Sequence, residues 1–353
     1  MTDDKSIKRR TILKTGLVAA AGTAALGALT TDEAIARSKS GDSERVTGEI
    51  PVRKFGSTGV TLPILGMGGS ALVDVWAPSY GVKLDSVEKR ADMVRYAFDR
   101  GIRYFDTARV YSESESIFGK GLKGVRDQAF IASKVAVAKP EQVRPSVEKS
   151  LKELDTDYVD LMQIHSPAIE AVGVKGAMKL HAELLKLRDE KLFRFIGLTT
   201  HVAFESVHEM ISTGGFDQVL LAYGYFRKGM DTLLSNRNIE YRGQCLAKAH
   251  DLGMAIVSMK VMGQFVMGHN SKNLVPDFDE SARKRLPAAA IRWVSQDHRV
   301  SMLNIGVSYP DDIDRNIGIM TSDLAYTDAD RDLLSDYAGR AYENEFVKKM
   351  RTV

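Results

Sequence analysis

From residue 64 to residue 319, short β-favouring runs alternate with longer helical stretches, and this alternation constrains the fold more than any other feature of the chain. Strands are predicted over 64–67, 104–106, 129–133, 158–163, 194–198, 218–221, 255–259 and 301–305. Helices are predicted over 86–100, 114–123, 141–154, 172–190, 204–212, 241–250, 282–295 and 311–319. Eight strands, each followed by a helix, predict a parallel sheet closed into a (β/α)8 TIM barrel. An open doubly wound sheet is the rival. Gly66-x-Gly68-Gly69 after the first strand has neither the spacing nor the following helix of a dinucleotide-binding turn. A hairpin over 51–62 precedes the barrel, and a charged helical tail ends it. Residues 51–353 are therefore expected to be the barrel with its C-terminal helices. The segment 260–281 is long for a βα loop and reads as a lid.

The N-terminus is of another kind. Lys8-Arg9-Arg10-Thr11-Ile12-Leu13-Lys14 precedes an apolar, Ala- and Gly-rich run from Gly16 to Leu29, too short to span a bilayer, which takes about 20 residues. Ala34-Ile35-Ala36 is a cleavage-like end. Adjacent arginines before a weakly apolar run resemble a twin-arginine (Tat) signal, the address of proteins exported already folded. Export to the periplasm is expected, with the Tat machinery as partner, cleavage after Ala36, and a polar linker over 37–50. The net charge of +3 comes from interspersed acids and bases, without the basic stripe of a nucleic-acid binder. A single cysteine, Cys245, rules out an intrachain disulfide and a Cys-based metal cluster, and reads as a small packing residue. No metal is expected.

The chemistry falls at strand ends, the mouth where barrels of this kind keep their active sites. Asp106 ends the second strand and Tyr111 lies in the loop after it. A phenol with a pKa of roughly 10 is a poor acid at neutral pH, but a buried ammonium nearby would lower it. Lys134 ends the next strand and His165 the one after. Alone, each is an ordinary solvated or structural residue. Four on one rim suggest proton transfer.

These motifs resemble the aldo-keto reductase family. The resemblance is carried by Asp106-Thr107-Ala108-x-x-Tyr111 with Glu115 and Gly119, Ser133-Lys134, Asp160-Leu161-x-x-x-His165-x-Pro167 and Gly197-Leu198-Thr199-Thr200-His201. It implies NAD(P)H-dependent reduction of an aldehyde or ketone to an alcohol. Tyr111 would be the general acid, Lys134 and Asp106 would lower its pKa, and His165 would orient the carbonyl. It also implies cofactor contacts: Thr199 and Thr200 at the carboxamide, Tyr223 stacked on the nicotinamide, and Lys260, Met262 and Gly263 near the pyrophosphate. Gly306, Ser308, Arg315 and Asn316 would hold the adenosine end. Leu220 stands where the family has a carboxamide-binding Gln, and Gln218 is two residues off. Asp312 stands where an Arg often meets a 2′-phosphate, so its charge would repel that group unless Arg315 or Lys260 compensates. NADP or NAD is expected, with a slight preference for NADP.

Two other readings fit parts of the pattern. A rim lysine could form a Schiff base with substrate. A barrel could also bind nicotinamide nucleotide as a sensor or accessory subunit, without turnover. Trp76, Tyr80, Phe226, Phe265 and Met267, in the loops 70–85, 226–240 and 260–281, are candidate apolar pocket walls for a hydrophobic carbonyl substrate.

Overall fold

The computed structural model describes residues 49–353 other than Phe265. The export signal expected over 1–36, linker residues 37–48 and the expected pocket wall Phe265 thus lie outside the described residues. The chain enters through an antiparallel hairpin, β1 (Val52–Lys54) and β2 (Thr61–Pro63), with Arg53 opposite Leu62. Eight parallel strands follow: β3 (Leu65–Gly68), β4 (Tyr104–Asp106), β5 (Phe130–Val135), β6 (Val159–Ile164), β7 (Phe193–Thr200), β8 (Gln218–Ala222), β9 (Ala255–Met259) and β10 (Met302–Gly306). β10 pairs with β3, Leu303 beside Leu65, and the barrel closes.

Two-residue periodicity sorts the strand side chains between two cores. Along β6, Leu161 turns into the barrel while Met162 and Ile164 turn out against the helices. The inner core is small: Tyr104, Phe130, Ala132, Leu161, Leu220, Ala255, Val257 and Met302, joined by Phe55 and Leu62 from the hairpin. Phe55 lies 5.8 Å from the Tyr104 ring and 5.0 Å from Phe130, so the hairpin stoppers the end of the barrel where the strands begin. The opposite end is left to the βα loops.

Helices α1 (Ala77–Tyr80) to α10 (Pro310–Met320) connect and cover the strands, and α11 (Asp328–Glu343) and α12 (Glu345–Lys348) form the tail. The glycine in the Glu115–Gly119 motif has a packing reason. A Cβ on Gly119, in α3 (Ser114–Gly121), would stand 2.7 Å from the carbonyl carbon and oxygen of Leu154. Helix α5 (Ser166–Asp189) starts earlier than 172, because Pro167 in the first turn presets helical φ directly after the strand. Gly173, at φ 65° and ψ 179°, breaks it, and the predicted span catches only the piece beyond the break. The segment 260–281 carries its own turn of helix, α8 (Ser271–Leu274). The Tyr337 hydroxyl on α11 donates to the Val266 carbonyl at 2.5 Å and to that of Ser271 at 3.2 Å, and Asn344 Nδ2 donates to the Leu274 carbonyl at 2.9 Å. The tail thereby braces the long loop.

Candidate active site

The strand ends and their loops enclose a cavity of about 410 Å³, within the range of small-molecule sites. Asp106 and Tyr111 line it. Behind them Lys134, only 1% exposed, donates from Nζ to Asp106 Oδ1 at 2.5 Å and to the Thr107 carbonyl at 2.6 Å. Its ammonium stands 5.1 Å from the centre of the Tyr111 ring. The His165 ring packs edge-on against Tyr111, centroids 5.6 Å apart. The structure thus brings all four side chains together.

Glu115 supports the group from outside. It accepts from Ser133 Oγ at 2.6 Å, is paired with Arg109, and adds its charge to the field on Lys134.

Electrostatics at this site correct one expectation. Burial pushes the Tyr111 phenol well above its ordinary value near 10, and the charge of Asp106 and the neighbouring Tyr80 add to the rise. This rise outweighs any lowering by Lys134, whose positive charge is matched at contact distance by Asp106. Burial also lowers Lys134, against the opposing pull of Asp106 and Glu115. Burial and then the charge of Lys134 hold His165 well below 6.5, so its imidazole is neutral at physiological pH.

The expected cofactor residues divide. Lys260, Met262, Gly306, Ser308 and Arg315 line the cavity. Gly263, at φ 58°, turns the chain just behind Met262. Thr199 Oγ1 is engaged by the Ser166 backbone N–H at 2.9 Å. Thr200 Oγ1 and Asn316 Nδ2 are buried without partners among the described residues. Tyr223 is displaced from its expected role. Its side chain points outward from the end of β8, the hydroxyl donating to Asp297 at 2.9 Å and the ring against Trp293 at 5.2 Å. The apolar side chains that do reach the cavity there are Leu220 and Met259. Gln218 is wholly buried inside the barrel.

Asp312 has beside it the compensating Arg315 that the sequence allowed for. It is buried and capped: it accepts from the N–H groups of Ser308 at 3.0 Å and Tyr309 at 3.2 Å, and pairs with His269 at 3.0 Å and Arg315 at 2.9 Å. The Arg315 guanidinium offsets its charge, which eases the expected repulsion of a phosphate. Of the expected walls, Tyr80 and Met267 line the cavity, whereas Trp76 is 41% exposed and Phe226 is buried against Tyr342 at 4.4 Å.

Other lining residues do not stand out in the sequence. His201, the last residue of the Gly197–His201 motif, lines the cavity with a buried Nδ1 that has no partner among the described residues. Met259 and Asn304 continue the inner faces of β9 and β10, so a two-residue count from Val257 and Met302 finds them. Arg283 reaches in from α9 (Glu280–Ser295) with Nη1 buried and without a partner among the described residues.

The residues present fit a nicotinamide nucleotide. Lys260, Lys272, Arg283, Lys284 and Arg315 line the cavity as bases, suited to phosphates. Polar atoms of Asn304, His201 and Arg283 that are without partners among the described residues offer it hydrogen bonds.

Comparison with known proteins agrees with this architecture. The family model described as "Aldo/keto reductase family" matches residues 65–332. L-galactose dehydrogenase of Arabidopsis thaliana is 27% identical over 82% of this chain and 93% of its own length. A probable aldo-keto reductase of Glycine max is 26% identical over 82% of this chain and 91% of its own. In fold, the chain is similar to the holo form of an aldo-keto reductase from Bacillus halodurans, with a TM-score of 0.62 at 18% identity, covering 82% of this chain and 96% of that one. The chain belongs to the aldo/keto reductase family of oxidoreductases.

Proposed function

We propose that this protein reduces an aldehyde or ketone to an alcohol, with Tyr111 as proton donor. One observation carries the reading: a buried ammonium, held by a carboxylate, stands 5.1 Å from a phenol that opens onto a cavity. When bound, reduced NAD(P) supplies the hydride. The chain's own residues handle the oxygen. Neutral His165 orients the carbonyl oxygen beside Tyr111. The phenol, kept protonated by burial, gives its proton to the oxygen as negative charge develops there, an alkoxide being far more basic than a phenolate. Lys134 then stabilises the phenolate left behind. Asp106 fixes the ammonium for that role.

The Schiff-base alternative finds less support. Lys134 does not line the cavity, and its ammonium is taken up by Asp106 and the Thr107 carbonyl. Borohydride in the presence of substrate should leave Lys134 unmodified. Oxidation of NADPH and NADH by the purified protein across a carbonyl panel tests turnover against a binding-only role. L-galactose, in the oxidative direction, belongs in the panel because of the relative that bears its name. Leu220, Met259 and Met267 suit an apolar substrate body, while Ser70, Tyr80 and His201 offer it hydrogen bonds.

Lys260 gives nucleotide binding a pH dependence. Burial, with the charge of Lys228 adding and that of Asp231 opposing, lowers its ammonium to about 7. Below pH 7 the cation is present to meet a phosphate; above it, binding must first take up a proton. The NADPH dissociation constant is expected to rise with pH above 7, by up to about tenfold per unit for one linked proton. Titration by fluorescence at pH 6.0 to 8.5 checks this, and Lys260→Met should flatten the slope.

We further propose that residues 1–36 direct export through the twin-arginine route, so that the barrel crosses folded around its nucleotide. Replacing Arg9 and Arg10 by Lys should leave the protein cytoplasmic. N-terminal sequencing of the exported form should begin at Arg37. A periplasmic form without nucleotide would count against the folded, loaded cargo.

A further inference from the structure

Asp106 has two carboxylate oxygens, and the structure uses them differently. Oδ1 receives the ammonium of Lys134. Oδ2 receives Nε2 of Gln163 at 2.9 Å. Gln163 is fully buried, lies on β6 two residues before His165, and pairs in register with Lys134 across β5 and with Gly197 across β7. It is not one of the residues that line the cavity. Its other amide atom, Oε1, has no partner among the described residues. The room for a side chain so large comes from Gly197: a Cβ there would stand 3.2 Å from Gln163 Cγ and 2.1 Å from Gln218 Oε1.

We infer that Gln163 is a positioning residue, which by occupying Oδ2 keeps the Asp106 carboxylate turned so that Oδ1 holds the Lys134 ammonium beneath Tyr111. This rests on the reading of Tyr111 as the proton donor. A carboxylate rotates easily about its last bond, and one salt-bridged oxygen does not fix that rotation. A second donor on the other oxygen does, and it satisfies a buried acceptor that would otherwise be costly. The same side chain ties Asp106 to the strand that carries His165, so donor and orienting imidazole keep a fixed spacing.

The groups around Asp106 that titrate or carry charge are Lys134 from β5, His165 at the end of β6, Tyr104 on β4 itself, Tyr111 from the following loop and Tyr80 from α1, with Glu115 of α3 acting on Lys134. Any new pH limb must be read against these.

The test compares full-length wild type, Gln163→Leu, Gln163→Glu and Tyr111→Phe on the panel aldehyde that turns over fastest. In Gln163→Leu, kcat should fall about tenfold, the scale of one lost hydrogen bond to a charged group. KM and NADPH affinity should stay within about twofold, because a residue that does not line the cavity contributes no ground-state binding to lose. Gln163→Glu supplies the discriminating signature. Beside Asp106 one of two carboxyls stays protonated, and that proton restores a donor to Oδ2. The variant should therefore approach wild-type kcat at low pH and lose it as pH rises, a limb absent from wild type. Independently of turnover, the side-chain amide signals of Gln163 in 15N-glutamine-labelled protein, identified as the pair missing from Gln163→Leu, should shift in Asp106→Asn.

A wild-type kcat and pH profile in both Gln163 variants overturns the inference, provided Tyr111→Phe is inactive. If Tyr111→Phe itself keeps full activity, the underlying reading fails instead. An amide signal unmoved by Asp106→Asn also overturns the inference, whatever the kinetics.

Discussion

Tyr111→Phe is expected to lower kcat by at least ~10²-fold while leaving NADPH affinity unchanged, as a lost general acid does. The substitution removes one hydroxyl from a ring that keeps its packing against His165 and its place over Lys134. No protein group accepts or donates at that hydroxyl among the described hydrogen bonds, so its loss orphans no partner and little stability should be lost. The effect should fall on the chemical step, with kcat and kcat/KM dropping together. Because burial keeps the phenol far above its ordinary value, no limb from Tyr111 should cut the wild-type profile at neutral pH. Neutral His165 contributes none there either. Single-turnover reduction followed by nicotinamide absorbance separates this outcome from slow product release. A Phe variant as fast as wild type would mean that the proton comes from elsewhere, with His201, whose imidazole lines the cavity, as the next candidate.

The barrel is legible in the sequence because its signals are local and repeated. Eight apolar runs broken by helical stretches leave few other closures, and the four strand-end residues fall on one rim once the strands are counted. What escapes depends on direction rather than on element. Tyr223 sits one residue beyond β8, where continued alternation sends it outward to Asp297 and Trp293. A resemblance between segments cannot show that turn. The role of Asp312 is easily misread because its sign is plain in the sequence, while its two side-chain partners, His269 and Arg315, are separated from it by 43 and 3 residues. Gln163 is hidden for a simpler reason. It lies two residues before His165 on the same face of the strand, and a buried amide draws no notice until its partner is known. The expected lowering of the phenol fails on magnitude. Lys134 stands where the strand count puts it, but desolvation of a buried hydroxyl outweighs an ammonium already matched by Asp106.

Lys134→Met should do what Tyr111→Phe does not: cost both activity and stability. Met matches the length of the lysine stem and refills a site that is 1% exposed. It removes the donor to the Thr107 carbonyl and, among the described residues, the only cation bonded to Asp106. Breaking a buried pair by removing one partner typically costs about 3–5 kcal/mol, because the other charge stays buried and uncompensated. For a chain of this size that corresponds to a fall in Tm on the order of 5–10 °C. The sign of the accompanying pH effect follows from the remaining carboxylate. Stripped of its cation, Asp106 in the variant favours its neutral form, so the folded state binds a proton the unfolded state has already lost. The variant's stability must then fall as pH rises through that window, and calorimetry at pH 5 and pH 8 should find it closer to wild type at pH 5. Adding Asp106→Asn supplies the control. With the charge gone, the amide oxygen introduced by that substitution can still accept from Gln163, and most of the lost stability should return at pH 8. Activity should not return, because the phenolate formed at Tyr111 would still lack the ammonium beneath it. A double variant that regained turnover along with stability would reduce Lys134 and Asp106 to a structural pair and leave the proton transfer to Tyr111 alone.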